Sequence, residues 1–213
     1  MERRPELETV MDAVDGEPGT VRPGGRTARV RESVLRAAGD ALVEQGFDRL
    51  DLADIARRAG VGKTTVYRRW STPAGLVADL LTDMAEQSVP RTDSDSLDED
   101  LRANARLVVR TLTDARQGPL FAAVVAAATC DARAAEALHR FYAVRIEEWA
   151  GCVDAAVGRG ELPVGTDARE VIRAVSAPLY YRLLASGDPL DETVADRAAE
   201  AAAVAARAGV YVG

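Results

Sequence analysis

The stretch Lys63-Thr64-Thr65-Val66-Tyr67-Arg68-Arg69-Trp70 concentrates side chains suited to chemistry with a partner. At helical spacing, Val66 and Trp70 share an inward face, so Thr64 and Arg68, also four apart, point outward. Lys63 and Arg68 carry donors that match guanine O6 and N7. Thr64 and Thr65 offer hydroxyls to base edges and methyls to thymine. Tyr67 and Arg69 suit phosphate oxygens, contacts that fix register without reading sequence. Arg22, Arg26, Arg29 and Arg31 precede or open the first helix of the chain, within reach of DNA backbone or minor groove. This is recognition by charge and hydrogen bonding, with no covalent step.

Chemistries that would make the chain an enzyme are poorly supplied. Gly60-Val61-Gly62-Lys63-Thr64-Thr65 looks like the end of a phosphate-binding loop. That pattern needs glycine where Arg57 stands, and it follows a strand, whereas residues 51–59 read as a helix. The single histidine, His139, and the absence of an H-E-x-x-H or paired-cysteine spacing leave no metal site to propose. Cys130 and Cys152 cannot form a disulfide framework in a chain of this size and read as buried thiols.

The elements that would position the Lys63–Trp70 stretch are legible around it. Val30, Val34, Ala37, Ala38, Ala41 and Leu42 recur at spacings of three and four from Thr27 onward, and Gly46 stops that first helix. Asp51 stands as an N-cap with Asp54 at the third helical position, and Leu52, Ile55, Ala56 and Ala59 form one apolar stripe, so a second helix spans about 51–59. Gly60-Val61-Gly62 then makes the tight turn of a helix-turn-helix, the arrangement that places a recognition helix in the major groove.

Pro73 suits the first turn of a fourth helix carrying Leu76, Val77, Leu80, Leu81 and Met84, expected to stop near Pro90 before a polar, acidic loop over 91–100. Helical spacing returns in 101–112, 120–129, 132–157, 168–185 and 191–208, with breaks at Gly118-Pro119, 158–165 and 187–189. Pro178 should start, kink or interrupt the fourth of these. No run alternates with a strand's period of two. The expectation is an all-α chain of about nine helices: a disordered arm over 1–25, a helix-turn-helix DNA-binding domain over 26–75 and a helical bundle over 76–213.

Charge sharpens this division. The 213 residues are 47% hydrophobic and 29% charged with a net charge of −7, which by itself argues against nucleic acid as partner. Residues 22–69, however, hold ten Arg, one Lys and six acids, a balance of +5, whereas 1–21 balance at −4 and 70–213 at −8. A compact basic segment in an acidic chain is an electrostatic footprint of limited extent. No stretch approaches the roughly 18 to 20 apolar residues of a membrane helix, and Met1 to Glu8 is too charged for a signal peptide, so no membrane partner and a cytoplasmic location are expected.

Residues 31–76, RESVLRAAGDALVEQGFDRLDLADIARRAGVGKTTVYRRWSTPAGL, resemble the amino-terminal DNA-binding domain of the TetR family of bacterial transcriptional regulators. The resemblance is carried by the AA…L…GF segment, IARRAGV and KTTVYRRW. GRGELP and SAPLYYRLLASGDPL, nearer the carboxyl end, resemble one subgroup of the family. The resemblance implies a homodimer on double-stranded operator DNA, a carboxyl-terminal ligand-binding and dimerisation domain, and repression relieved by a small-molecule effector, with no cofactor and no catalysis. It puts base reading on Lys63, Thr64, Thr65 and Arg68 and phosphate contacts on Tyr67 and Arg69, with Arg26 in the basic arm.

The chain departs from the family pattern at Asp51, where Thr is frequent and an acid would repel phosphate, at Gly62, where Ser often caps, and at Pro73, where a Lys often grips phosphate. Phe121, Phe141, Tyr142, Trp149 and Tyr180 suit either core packing or the wall of a ligand cavity between helices. The resemblance also implies that the last two helices pack against their symmetry mates, which the small faces at Ala198 to Ala206 would permit. A constitutive DNA-binding protein without effector would instead have a tightly packed, empty second domain. A bundle enzyme would need converging ionisable groups.

Overall fold

A computed structural model describes residues 25–86 and 94–213, with no account of the Arg26 side chain. The expected disordered arm, Arg22 and the expected stop near Pro90 lie outside the described residues. Within them the chain forms nine α-helices: α1 (Arg26–Gln45), α2 (Leu52–Arg58), α3 (Lys63–Arg69), α4 (Pro73–Glu86), α5 (Leu97–Thr113), α6 (Gln117–Cys130), α7 (Ala132–Gly158), α8 (Ala168–Tyr181) and α9 (Glu192–Arg207). No β-strand occurs among the described residues. The single β-bridge, Thr166 to Val212, ties the carboxyl end to the loop before α8.

The first three helices follow from their punctuation. α1 stops at Gly46, whose φ of 78° is a left-handed conformation that side chains avoid. Asp51 caps α2, accepting from Ala53 N at 3.2 Å and Asp54 N at 3.1 Å. Gly60, at φ 66°, turns the chain between α2 and α3. Val34, Ala38, Ala41 and Leu42 of α1 bury against Leu52, Ile55 and Ala56 of α2 and Val66 and Trp70 of the α3 segment. α4 packs on both α1 and α7, so the apolar core runs without a break from the helix-turn-helix into the bundle.

Three boundaries differ from expectation. α5 begins at Leu97, inside the stretch expected to be an acidic loop: Ser96 caps Glu99 N, and Asp98, Glu99 and Asp100 fill the first turn, where carboxylates oppose the positive end of the helix dipole. Gly118-Pro119 does not break α6 but lies in its first turn, where proline's missing N–H costs nothing. Asp114 accepts from Arg116 N at 2.9 Å and Gln117 N at 2.8 Å to start that turn. Gly118 is required there, because a Cβ would stand 2.3 Å from the Leu112 carbonyl oxygen. Pro178 lies inside α8, which gives way three residues later to a wider π-turn, Arg182–Ser186, closed by Gly187 at φ 67°.

Most alanines of α9 face inward. Ala198, Ala199, Ala202, Ala203 and Ala206 are buried within one chain, where α9 packs closely on α5 and α8. They are therefore intramolecular core and are not available to a symmetry mate. Ala201 and Val204 of α9, Tyr181 at the end of α8 and Leu184 just after it are exposed.

Candidate nucleic-acid interface and ligand cavity

α3 is seven residues long and has no side-chain cap, Gly62 standing where one would be. It is held by its inward face. Val66 is 0% exposed, and Trp70, the residue that ends the helix, is 3% exposed. Opposite them Lys63, Thr64, Tyr67, Arg68 and Arg69 are exposed, and Thr65 is half-buried at the edge of that face. The guanidinium of Arg69 lies over the Trp70 ring, 5.1 Å from its centroid.

The basic residues of this region divide into two groups. Arg57 and Arg58 pair with Asp54, Arg58 also reaches Glu44 at 2.6 Å, and Arg36 pairs with Glu32 at 2.7 Å. Lys63, Arg68 and Arg69 form no ion pair among the described residues, and neither do the exposed Arg29 and Arg49, so α3 carries three of the segment's five described cations without an ion pair. Arg29 is exposed near the start of α1, and the Arg26 backbone opens that helix.

Arg31 does not join the arm that was expected to reach DNA. It is tied to α4, donating from Nη2 to Asp79 Oδ1 at 2.7 Å and from Nη1 to Asp83. The same Asp79 accepts from Trp70 Nε1 at 2.8 Å. Burial works to raise the Asp79 carboxyl's pKa, but the bonds from Arg31 and Trp70 outweigh it and hold the group below its ordinary value. Asp79 thus joins α1, the end of α3 and α4 through one carboxylate. Sequence reasoning missed it, because nothing local marks an acid on an amphipathic helix as the partner of two residues 48 and 9 positions away.

Above this joint lies a cavity of about 1100 Å³, lined by residues of α1, α4, α5, α6, α7 and α8. Phe121, Phe141, Tyr142, Trp149 and Tyr180 all line it. Four of them close a ring of edge-on and tilted contacts, with centroids 5.6 Å apart for Phe121–Phe141, 5.3 Å for Phe141–Tyr142, 5.5 Å for Tyr142–Tyr180 and 6.5 Å for Tyr180–Phe121. Burial pushes the phenols of both Tyr142 and Tyr180 above their usual pKa. Arg145, alongside, donates to Glu148 at 2.5 Å. Core packing and cavity wall, the two roles open for these aromatics, are here one surface.

Other chemically suggestive residues fall elsewhere. His139 is exposed on α7 and does not line the cavity. Cys152 is buried and donates to Trp149 O at 3.0 Å, whereas Cys130 is exposed at the end of α6, contrary to the buried thiol expected. Among the described residues no group of His, Cys, Asp and Glu is arranged to hold a metal ion, and no helix is long and apolar enough to cross a membrane.

The exposed, cationic α3 over a three-helix core, followed by an all-α bundle with its own cavity, defines a helix-turn-helix DNA-binding regulator. Residues 34–80 match the model of bacterial regulatory proteins of the tetR family, and residues 91–202 match the tetracyclin repressor-like C-terminal domain. The chain is 31% identical over 169 residues to the HTH-type transcriptional regulator YdeS of Bacillus subtilis (strain 168), covering 79% of this chain and 85% of that one. It is 30% identical over 167 residues to the DNA-binding transcriptional repressor TetR of Mycobacteroides abscessus, covering 78% and 87%. Among solved structures it resembles the TetR family transcription regulator SCO0332, with a TM-score of 0.65 at 26% identity over 83% of this chain and 97% of that one. The chain belongs to the TetR family of transcriptional regulators, whose members are DNA-binding proteins and not enzymes.

Proposed function

We propose that the protein is a cytoplasmic repressor that binds a roughly palindromic operator as a homodimer and is released by a small-molecule effector. Residues 26–75 form the DNA-binding domain in this reading, and residues 76–213 bind the effector and dimerise. Lys63, Thr64, Thr65 and Arg68 read base edges, Tyr67 and Arg69 hold phosphates, and Arg26 adds a backbone contact from the start of α1. Two-fold symmetry requires the two copies of α3 to enter successive major grooves about 34–36 Å apart. The exposed face of Tyr181, Leu184, Ala201 and Val204 supports dimerisation through α8 and α9.

The observation that carries the reading is that α4 serves both sites. Its Leu80, Asp83 and Met84 line the cavity, while its Asp79 holds Trp70 at the end of α3. An occupant that fits the cavity better in one setting of α4 than in another shifts the dimer toward that setting, and with it the spacing of the recognition helices. Selection of operator sequences from random and neighbouring genomic DNA, repeated with candidate ligands, tests this. The expected result is a symmetric site whose binding weakens with at least one ligand. A protein that enriches no sequence would refute it.

A further inference from the structure

Among the exposed cations of α3, Arg69 is held in place without its hydrogen-bond donors being spent. Its guanidinium lies 5.1 Å from the centroid of the Trp70 ring, a contact that draws on charge alone. Arg36, Arg57 and Arg58 are instead fixed by carboxylates, which occupy their N–H groups. Arg69 makes no ion pair or side-chain hydrogen bond among the described residues, so its donors stay open to an oxyanion while the ring sets its position.

The ring is itself fixed on several sides. Trp70 leaves α3 with an extended backbone, its N–H closing the helix on Val66 O at 2.8 Å. It is 3% exposed and belongs to the core shared with α1, α2 and α4. Its Nε1–H donates to Asp79 Oδ2 at 2.8 Å, and Asp79 is held in turn by Arg31 Nη2 at 2.7 Å. Burial works to raise the Asp79 carboxyl's pKa; after the bonds from Arg31 and Trp70, the charges of Arg31 and Arg69 help to hold it low, so Arg69 also lies within electrostatic reach of α4. A ring that cannot turn gives the cation one resting place, and a cation already ordered loses less rotamer freedom on binding.

We propose that Trp70 is a positioning residue for DNA binding: its indole, oriented by Asp79, holds the Arg69 guanidinium where it meets a backbone phosphate. This rests on the reading of α3 as the DNA-binding helix with Arg69 on a phosphate. Because Asp79 belongs to α4, whose Leu80 and Met84 line the cavity, the helix that meets an occupant also sets the aim of a DNA contact.

Fluorescence anisotropy of the full chain with a mixed-sequence DNA duplex of about 30 base pairs, over a range of salt concentrations, tests this, since phosphate contacts do not depend on sequence. Arg69→Ala should weaken binding and flatten the salt dependence by about one ion per copy. Trp70→Phe keeps a ring but loses the Nε1–H, and should weaken binding roughly twofold to fivefold; Trp70→Leu, which removes the aromatic face, should weaken it roughly threefold to tenfold. In an Arg69→Ala background neither substitution should have a further effect, because the guanidinium it positions is gone. Melting curves give the folded fraction of each variant, and Trp70→Phe carries the test alone if Trp70→Leu does not fold. An equal loss in both backgrounds means that Trp70 acts only through the fold of α3; it overturns the inference and leaves Arg69 a phosphate contact. Wild-type affinity of the folded Trp70→Phe and Trp70→Leu variants overturns it as well. Arg69→Ala with unchanged affinity and salt dependence removes the phosphate reading itself, and the inference with it.

Discussion

The outward face of α3 and the cavity between the helices of the bundle solve opposite recognition problems. α3 leaves Lys63, Arg68 and Arg69 exposed and unpaired by acids, so their charge is available to a polyanion but screened by salt. The cavity pairs most of its lining arginines with acids and presents a ring of four aromatic side chains. Unpaired charge is tolerable only where water reaches it. The first site therefore suits a highly charged ligand met through many weak contacts, and the second suits a molecule that buries apolar surface against aromatic rings.

Substitutions should separate these two regions by the size and kind of their effects. Trp70→Ala removes the buried anchor of α3 and its bond to Asp79, and should cost about 3–5 kcal/mol of stability with loss of operator binding, measured by denaturant unfolding and gel shift. If stability were unchanged, α3 would be held by something other than its inward face. Arg68→Ala should leave stability intact and weaken specific binding by about 1–3 kcal/mol while leaving effector affinity as it was.

Asp79→Asn loosens the joint between the two regions. A loss of about 1 kcal/mol of stability is expected after allowance for solvent screening, together with a weaker effect of ligand on operator binding. The wild-type contribution of this carboxylate has a definite pH dependence. Its folded pKa lies below the ordinary value near 3.9, so its stabilisation is complete above about pH 4 and is lost as pH falls through the lowered folded value. Acid unfolding of Asp79→Asn should lack that component, and identical acid profiles for the two proteins would remove Asp79 from the joint. The smallest effect should come from Arg26→Ala: a loss shared by all DNA sequences and a salt dependence shallower by about one ion. A loss confined to one base position would count against a backbone role.

The same contrast governs what the amino-acid sequence disclosed. α3 is a local object: seven contiguous residues with Trp70 behind them, two inward positions four apart and a glycine turn specify which side chains face out. Val66, Trp70, Thr64 and Arg68 face as their spacing predicts. The cavity is assembled from six helices, and periodicity marks Phe121 or Tyr142 as apolar-faced without showing that these rings close on one another. Arg31 shows the limit most clearly. Its place in a basic run suggested DNA, but the acids that claim it, Asp79 and Asp83, come from a helix 48 and more residues away. Ala198 to Ala206 likewise form a small-residue stripe whose partner, α5 of the same chain, only the packed structure identifies. At Ser96 and Gly118-Pro119 local signals existed, a cap and a first-turn proline, and were outweighed by composition that reads as loop.

The central claim is that the exposed face of α3, presented twice by a symmetric dimer, reads DNA. Parallel operator selection with the wild-type chain and with Arg68→Ala tests it most directly. The wild type should enrich a palindrome whose half-site centres lie about 10 base pairs apart, and Arg68→Ala should lose preference at the same base position in both halves. Enrichment of one identical motif with equal affinity by both proteins would contradict the account.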